Sequence, residues 1–451
     1  MTFDSLARSR YFYHFTHVSN LASIIEFGLL STNQKNLLAL PHRNIAAGGI
    51  QERRSEMQVT CAPKGTIHDY VPFYMCVRNP MLLSVLNKKN IDQQEMIFFA
   101  LRFDKISSQK MVFTDASANT VVPPSFYNDV DDLDKLDWEL IDSQRWGTKT
   151  KDEMHRRMAE VLIRDKVTID MVDTIIVWNK SYKKEVLEIF EKSGCEAPDV
   201  HYSPLGTTLK FNFFYTKFSI GRPDESLITG PSWLREYFNS AVKTIKKNRS
   251  EAETGKKYLF VDIQDALKKI AKDFTIIPEM AEIYKLATDN TMHKENVSDH
   301  TLSVLDNLTA SRYYKSMDDT DRGVLAISAY LHDIGKGPKS MWKNEIQQNY
   351  PDHPADAPKM LERILVEDFE YLSNYEIRKI CLLVTYHDLI GEIIGRGRDK
   401  QQLFDLIRDE KELQMLSALN YADVAAINED WAFDYQIKVR TLKAEALDKI
   451  Q

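Results

Sequence analysis

The first half of the chain alternates between two hydrophobic patterns. Short apolar runs rich in β-branched and aromatic residues, such as MIFFALRF, TIIVW and TLKFNFFYTKF, predict strands. Between these runs, VSNLASIIEFGLL and KEVLEIFEKSG repeat apolar residues at helical spacing. The former predicts a helix over Val18–Leu29 that is capped by Ser19 or Asn20. Residues 1–220 are therefore expected to form an α+β domain.

The pattern changes in the second half. Residues 221–290 are less regular, and their segment KTIKKNRSEAETGKK favours a solvated basic helix or linker, with contact to phosphates as the alternative. After Val297 the spacing is almost purely helical, no strand is predicted, and a few glycines are the only breaks. The chain is thus predicted to be multidomain: an α+β domain over 1–220, a connector over 221–290 and an all-α domain over 291–451.

Length and composition agree with this organisation. A chain of 451 residues exceeds one ordinary core, and 43% hydrophobic with 28% charged residues is typical of globular proteins. No stretch approaches the roughly 20 apolar residues of a membrane span, and the N-terminus lacks the pattern of a signal peptide. The four cysteines are scattered, which argues against a disulfide framework. We therefore expect a cytoplasmic protein that does not associate with membranes.

The charge is distributed unevenly along the chain. The net charge is −7, and residues 1–220 contain 27 basic and 27 acidic residues, which leaves 32 basic and 39 acidic residues downstream. A globally basic surface for nucleic acid is therefore excluded. Any contact with nucleic acid must come from a local patch.

Several polar motifs punctuate the first half. In order, they are YHFTH (13–17), HVSNLASII (17–25), IQERR (50–54), HDYVPFY (68–74), RNPML (78–82), VFTD (112–115), LDWE (136–139) and AEVLI (159–163). Taken singly, a strand histidine such as His14 is usually an ordinary satisfied residue, and Glu160 would be an exposed charge. Together, the ordered motifs resemble the DarT family of DNA ADP-ribosyltransferase toxins over about residues 11–215.

This resemblance implies an ADP-ribosyltransferase fold that uses NAD as its co-substrate. It implies that Glu160 is catalytic and that Arg54 contacts the NAD phosphates and assists catalysis. It also implies that His14 helps to bind NAD. Thr16 is expected to help bind NAD as well, and Tyr70 to stack on its nicotinamide or on a target base. These residue types suit the chemistry, because a carboxylate stabilises the oxocarbenium-like ribose and an arginine binds phosphate oxygens bidentately.

The resemblance further implies that the acceptor is a base of single-stranded nucleic acid, with DNA favoured over RNA. A toxin or phage-defence role and an antitoxin partner follow from the same family. One segment departs from it, since Ala116–Thr120 stand where many members carry Gly or Arg followed by His beside the substrate. The modified base is therefore left open, and RNA remains an alternative acceptor.

Histidines and aspartates recur in the second half. They are His300 in SDHTLSVLDNL, His332 and Asp333 in YLHDIGKG, His353 in YPDHPADAPKML, His387 in VTYHDLIGEIIGRG and Asp423 in NYADVAAI. The ordered set resembles the HD phosphohydrolase superfamily over about residues 297–428. Among its members, the segment looks most like the HD domains of tRNA nucleotidyltransferases.

The HD resemblance implies a site for divalent metal. The residues implied are His300, His332, Asp333 and Asp423 for one ion, His353 and His387 for a second ion that Asp333 bridges, and Lys336 for a substrate phosphate. Imidazoles with carboxylates suit Mn, Fe, Zn or Mg. The substrate stays open between a nucleotide, a cyclic phosphate, an RNA end and the ADP-ribose adduct. The alternative is an inactive domain that senses a nucleotide ligand, and either form could restrain, trigger or reverse the transferase.

Overall fold

The computed structural model resolves the chain into two compact units. It describes residues 10–43, 45, 48–106, 110–143, 145–202, 214–216, 228–251, 255–289 and 295–450, with only the backbone of residues 48–50 and 429. The first unit comprises Met1–Asn87 and Ile91–Ile220, and the second comprises Lys88–Asn90 and Gly221–Gln451. Among the helices of these described ranges, none is both long and apolar enough to cross a membrane.

The first unit is built on a large β-sheet. In the part of the chain described, its strands are β1 (Tyr11–His17), β2 (Leu29–Leu30), β3 (Tyr70–Tyr74), β4 (Met96–Arg102), β5 (Met111–Thr114), β6 (Phe126–Tyr127), β7 (Glu160–Arg164), β8 (Lys166–Val167), β9 (Thr174–Ile176) and β10 (Asp199–His201). Eight of these described strands form one sheet in the order β10-β9-β4-β1-β3-β7-β5-β6, and β2 pairs with β8. Neighbours in the large sheet run antiparallel, except β10 beside β9.

Helices pack around this sheet and complete the predicted α+β class. Those described are α1 (Leu21–Phe27), α2 (Thr32–Leu37), α3 (Gly48–Glu56), α4 (Pro80–Asn87), α5 (Trp138–Ile141), α6 (Lys151–Arg157) and α7 (Lys180–Ser193). The strands predicted from MIFFALRF and TIIVW are confirmed as β4 and β9, and the helix predicted from KEVLEIFEKSG is confirmed within α7. Of the run TLKFNFFYTKF (208–218), only residues 214–216 lie among the described residues.

The predicted helix over Val18–Leu29 is only partly correct. A 3-10 turn precedes α1, and Asn20 adjoins the helix without a capping hydrogen bond from its side chain. The helix ends because Gly28 adopts a φ of 87°, where a Cβ would lie 2.7 Å from the carbonyl oxygen of Val167. Leu29 consequently enters β2 instead of continuing the helix.

The second unit is helical apart from two short strands in its described part. Its helices are α8 (Pro231–Ser250), α9 (Ile263–Ile270), α10 (Pro278–Ala281), α11 (Val297–Ala310), α12 (Arg312–Ser316), α13 (Asp319–Leu331), α14 (His353–Glu367), α15 (Asn374–Tyr386), α16 (Leu389–Arg396), α17 (Gln401–Phe404), α18 (Glu410–Ile427) and α19 (Glu429–Ile450). β11 (Ala287–Thr288) pairs parallel with β12 (Ile346–Gln347). The expectation of no strand after Val297 is wrong at β12, because two residues are too few to show a strand pattern.

The first part of the basic segment between the predicted domains, residues 243–250, lies in α8, which is a packed helix. Leu234, Phe238, Ala241 and Ile245 recur at helical spacing on one face of α8, and all four are buried in the core of the second unit. The guanidinium of Arg249, near the end of α8, donates to backbone carbonyls at the end of α14 and just beyond it. Lys243, Lys246 and Lys247 of the segment thus occupy a helix whose other face is in the core.

Candidate active site and metal centre

A buried ion pair joins the two predicted catalytic residues of the first unit. Glu160 opens β7 and is 0% exposed, and Arg54 lies in α3. The guanidinium donates bidentately to the carboxylate, with Nη1–Oε1 and Nη2–Oε2 both at 2.9 Å. Glu160 is not the exposed charge that an isolated glutamate would usually be, because it begins an interior strand of the sheet.

One backbone amide holds the Glu160 carboxylate in addition to Arg54, and a side-chain hydroxyl holds the Glu160 backbone. The amide of Ala118 donates to Oε1 at 3.0 Å, and the amide of Glu160 itself donates to Thr114 Oγ1 at 3.1 Å. Burial alone would lower the pKa of Arg54, but the adjoining Glu160 carboxylate outweighs it and raises that pKa. The pair is therefore an ion pair held in one geometry by these hydrogen bonds.

A cavity lies where two neighbouring strands of the sheet diverge. β1 pairs along its length with β4, whereas in the described part it shares only the Tyr13–Tyr74 pair with β3. The cavity measures about 470 Å³, which is within the range of ligand-binding sites. Its wall includes the four residues predicted to bind NAD, namely His14, Thr16, Arg54 and Tyr70.

His14 is held in one tautomer at this wall. Its Nδ1 lies 2.8 Å from the carbonyl oxygen of Pro72, which only accepts, so Nδ1 carries the proton and Nε2 is left as an acceptor. Burial lowers the pKa of His14 to about 4. The imidazole is therefore neutral at pH 7, and it suits a ligand hydroxyl or amide that donates.

Thr16 and Tyr70 already have partners within the unit. Thr16 Oγ1 accepts from Asn20 Nδ2 at 3.0 Å, which leaves the hydroxyl proton of Thr16 for a ligand. The Tyr70 hydroxyl donates to the carbonyl oxygen of Lys64 at 2.5 Å, and the ring packs in a small apolar cluster with Ile67. Tyr70 thus supplies an aromatic surface to the cavity, whereas Thr16 supplies a donor.

Two cavity residues were missed in the sequence. Lys35 lines the same cavity, and burial lowers the pKa of its ammonium group. His68 also lines it, and its buried Nε2 has no hydrogen-bond partner. Burial, followed by the charge of Arg54, lowers the pKa of His68. His68 heads the motif HDYVPFY, which could have pointed to it, whereas Lys35 stands in a polar helix without a distinguishing signal.

The segment that departs from the family pattern adjoins the ion pair. Within Ala116–Thr120, the amide of Ala118 contacts Glu160, and the carbonyl oxygen of Asn119 accepts from Arg53 Nε at 3.0 Å. A second cavity in the first unit borders the segment, and its lining includes Arg53, Asp115, Asn119, Pro124, Lys135 and His155. The segment therefore supports Glu160 and also forms part of the wall of this second cavity.

In the second unit, the four residues predicted to hold one metal ion converge. His300 Nε2 lies 2.9 Å from Asp423 Oδ1, and His332 Nε2 lies 3.4 Å from Asp333 Oδ2. His332 Nδ1 lies 2.7 Å from the carbonyl oxygen of Ala329, so its Nε2 carries a lone pair. This buried Nε2 makes no hydrogen bond. A buried acceptor that faces carboxylates without a donor is satisfied by a cation.

The protonation states of this group also suit a cation. Burial lowers the pKa of His332 to about 4. Burial alone would raise the pKa of Asp333, but His332 and Lys336 hold it well below its usual range. Metal binding requires a neutral imidazole and an ionised carboxylate. Both forms therefore exist at pH 7 before any ion arrives.

His353 and His387 form a second pair of converging ligands. Their Nδ1 atoms lie 2.8 Å from the carbonyl oxygens of Tyr350 and Val384, so both Nδ1 atoms are protonated. Their Nε2 atoms lie 3.1 Å apart, within hydrogen-bonding distance of each other. Unless one ring is protonated, two acceptors at this separation need a cation between them.

Asp333 faces both histidine pairs, one with each oxygen. Its Oδ2 lies 3.4 Å from His332 Nε2 and 3.9 Å from His300 Nε2. Its Oδ1 lies 3.2 Å from His353 Nε2 and 4.0 Å from His387 Nε2. Each oxygen therefore belongs to a separate candidate metal group, as expected of a bridging carboxylate.

Gly335 allows the turn after Asp333 to reach the second pair. A Cβ at Gly335 would lie 1.9 Å from the carbonyl oxygen of His353. Only glycine permits this approach between the HDIGKG turn and the first turn of α14. Lys336 in the same turn places its ammonium 2.6 Å from Asp333 Oδ2, at the cluster and facing its bridging carboxylate.

Known proteins resemble both units. Residues 13–211 match the family model described as ssDNA thymidine ADP-ribosyltransferase, DarT, and residues 297–425 match the HD domain model. A DNA ADP-ribosyl transferase of Thermus aquaticus is 30% identical over 211 residues, which are 46% of this chain and 89% of the relative. Another from Thermus sp. is 32% identical over 186 residues, 40% of this chain and 87% of the relative.

Solved structures also match the first unit. The Thermus sp. 2.9 DarT in complex with ADP-ribosylated ssDNA has a TM-score of 0.40 and 29% identity, and the match covers 43% of this chain and 94% of that chain. The same protein in complex with NAD+ has a TM-score of 0.39 and 26% identity, with 43% and 96% covered.

Proposed function

The chain belongs to the DarT family of DNA ADP-ribosyltransferases, and on this premise we propose that its first unit transfers ADP-ribose from NAD to a base of single-stranded DNA. The observation that carries this proposal is the buried Arg54–Glu160 pair beside a cavity lined by His14 and Thr16. The family description specifies thymidine, and the T. aquaticus relative is named as a DNA ADP-ribosyl transferase.

In the proposed reaction, the bond between the ribose C1′ and nicotinamide breaks, and its electron pair leaves with nicotinamide. Glu160 stabilises the positive charge that develops on the ribose. A nucleophilic atom of the base attacks C1′ and loses its proton to the surroundings. The buried setting strengthens this electrostatic effect, because little solvent reaches the Glu160 carboxylate.

The remaining cavity residues bind and orient NAD in this proposal. Arg54 offers its guanidinium to the pyrophosphate, and Lys35 adds a second cation at the same wall. Neutral His14 accepts from a ribose hydroxyl or an amide through Nε2, and Thr16 donates. Tyr70 gives an aromatic surface on which a ring can pack.

The acceptor base approaches, in our proposal, from the second cavity beside Ala116–Thr120. Support comes from the position of this segment, which contacts Glu160 through Ala118 and also borders that cavity. Because the segment lacks the family's histidine, RNA remains the second candidate acceptor. An unpaired base is expected in either case, since only an unstacked base exposes its edge to an enzyme.

Incubation with labelled NAD and single-stranded DNA, structured RNA or protein tests the proposal. We expect label on single-stranded DNA with the wild-type chain and none with Glu160→Gln. Glu139→Gln, at an exposed position of α5, is the matched control and should keep the activity. Label on protein alone would contradict both nucleic-acid acceptors.

For the second unit we propose that the HD cluster binds divalent metal, with Mn, Fe, Zn and Mg as candidates. The residues of the proposed site are His300, His332, Asp333 and Asp423 for one ion, with His353 and His387 for another and Lys336 for a phosphate. The orphaned Nε2 of His332 is the observation in favour. A bound ion would supply Lewis-acid activation of water and phosphate.

We propose that this HD unit controls the transferase, as expected of a toxin or phage-defence enzyme that must be restrained. A nucleotide bound to the HD unit, or an antitoxin partner, would supply the signal. Hydrolysis of a phosphate ester is favoured over removal of the adduct, because the adduct bond is glycosidic. Since NAD and DNA occur together inside the cell, the cytoplasm is the proposed location.

Phosphatase assays with and without metal separate an active HD unit from a sensing one. Turnover of a phosphate ester that is lost with His332→Ala supports hydrolysis. Metal binding without turnover, together with a nucleotide-dependent change in transferase rate, supports the sensor. Absence of metal from the wild-type chain would contradict the metal site itself.

A further inference from the structure

One carboxylate beside the histidine cluster has no place in the function proposed above. Asp388 directly follows His387, and its Oδ1 lies 3.6 Å from His387 Nε2. Its Oδ2 lies 3.9 Å from His353 Nε2. The Asp388 side chain is 30% exposed, against 2% for Asp333. Asp388 is therefore the solvent-facing carboxylate next to the second histidine pair.

The separations around this pair fit atoms that share one metal ion. Ligand atoms about 2.0–2.2 Å from a metal lie about 3.0–3.5 Å from one another. The Nε2 atoms of His353 and His387 are 3.1 Å apart, and Asp333 Oδ1 is 3.2 Å from the former. The Asp388 oxygens lie slightly farther out, 3.6 Å from His387 Nε2 and 3.9 Å from His353 Nε2, so the side chain would have to move inward to reach a shared ion.

The composition of the two groups supports the same conclusion. The first group contains two histidines and two carboxylates, namely His300, His332, Asp333 and Asp423. Without Asp388, the second group would contain two histidines and only the shared Asp333. With Asp388, both groups have the same donor set. Each of the dipeptides His332–Asp333 and His387–Asp388 then supplies one histidine and one carboxylate to a metal group.

We propose that Asp388 is a ligand of a second metal ion, which His353 and His387 also hold. Asp333 bridges this ion to the first one. The proposal rests on the metal site of the proposed function and adds a ligand to it. Two imidazoles and two carboxylates form a borderline-hard donor set, which suits Mn²⁺, Fe²⁺ or Zn²⁺ better than Ca²⁺.

Metal stoichiometry of the full chain tests this directly, without reference to activity. After chelator treatment, the protein is titrated with Mn²⁺, free Mn²⁺ is measured by electron paramagnetic resonance, and bound metal by mass spectrometry. The wild-type chain should bind two ions. Asp388→Asn should bind the first unchanged and the second about 10- to 100-fold more weakly.

Three variants make the result specific. Asp306→Asn, at an exposed position of α11, is the matched control and should bind two ions. Asp388→Glu keeps a carboxylate and should retain the second ion, which also guards against a folding defect in Asp388→Asn. His353→Ala should also weaken binding of the second ion, at least as much as Asp388→Asn does.

The outcomes distinguish this inference from the function on which it rests. Two ions bound to Asp388→Asn with wild-type affinity would overturn the role of Asp388 while leaving the metal site intact. A single ion bound to the wild-type chain would also overturn it. No ion bound to the wild-type chain would contradict the metal site of the proposed function as well.

Discussion

The two buried polar clusters differ in how their atoms are satisfied. In the first unit, Arg54 and an amide occupy both oxygens of Glu160, so the pair is complete without a ligand. In the second unit, His332 keeps an orphaned Nε2, and the Nε2 atoms of His353 and His387 lie 3.1 Å apart.

This difference bears on what each site requires. Buried polar groups in proteins are almost always partnered, so the orphaned Nε2 of His332 favours a bound cation, whereas the ion pair of the first unit needs none. A substrate of the first unit must instead compete for Arg54. The second unit thus offers a ligand atom that has no partner yet, whereas in the first unit a ligand must share Arg54 with Glu160.

The largest expected effect is on catalysis by Glu160. Glu160→Gln keeps the shape of the side chain but removes the charge that stabilises the developing cation. We expect the rate of transfer from NAD to DNA to fall by about 10³-fold. The rate is measured by single-turnover transfer of label, with Glu139→Gln as control. A loss below about tenfold would remove Glu160 from its catalytic role.

The next effect concerns the stability of the completed pair. Arg54→Ala or Glu160→Ala strands one buried charge, which should lower the unfolding free energy of the first unit by about 3–5 kcal/mol. Replacing both together, as Arg54→Met with Glu160→Leu, should recover most of that loss because no charge stays unpaired.

Denaturant unfolding measures these changes in free energy. The transition of the first unit is identified in the wild-type chain as the one that NAD shifts. If the double variant loses as much unfolding free energy as the two single variants together, Arg54 and Glu160 do not stabilise each other as a pair. Activity should stay absent in the double variant. That result would separate stability from catalysis.

Metal should stabilise the second unit but not the first. At a free concentration of about 100 times the dissociation constant, an ion that binds only the folded state adds about 2.7 kcal/mol. We expect Mn²⁺ to raise the midpoint temperature of one thermal unfolding transition of the wild-type chain, and a chelator to reverse this rise. In His332→Ala this rise should shrink or vanish. An equal rise of the midpoint temperature in the wild-type protein and in His332→Ala would show that the ion binds elsewhere.

The smallest expected effect is the pH response of NAD binding at His14. Its pKa is lowered to about 4, so the ring stays neutral from pH 8 to pH 5.5. Protonation, which would remove the Nε2 acceptor, begins only as the pH falls toward 4. We therefore expect the dissociation constant of NAD to change by less than about twofold over this range through His14.

Calorimetric titration at several pH values measures this constant. A histidine with an ordinary pKa near 6.5 would weaken binding by about tenfold at pH 5.5. His14→Asn serves as the reference that cannot titrate. A pH dependence near 6.5 that vanishes in His14→Asn would contradict the lowered pKa.

The sequence predicted much of the fold because its signals were local. β4 and β9 carry uninterrupted apolar runs, and helical spacing marks most helices of the second unit. The failures also have local reasons. Gly28 ends α1 through backbone geometry that hydrophobic spacing does not register, and β12 is too short for any pattern.

The site residues could be predicted only where they belong to the ordered motifs. Glu160 taken alone would be a surface charge, and only its motif pointed to it, since its burial depends on β3 and β5, which lie far away in the sequence. Lys35 reaches the NAD cavity through tertiary packing alone. Asp388 escaped notice although it repeats the His–Asp dipeptide, because a dipeptide says nothing about which side chains will converge.

Mass spectrometry of nucleosides tests the central claim most directly. Single-stranded DNA and RNA are incubated separately with NAD and the full chain, digested, and compared with the same polymers treated with Glu160→Gln. We expect an ADP-ribosylated thymidine with the wild-type chain and none with the variant. Unmodified DNA alongside a modified RNA nucleoside would move the acceptor to RNA, and no modified nucleoside in either polymer would contradict the account.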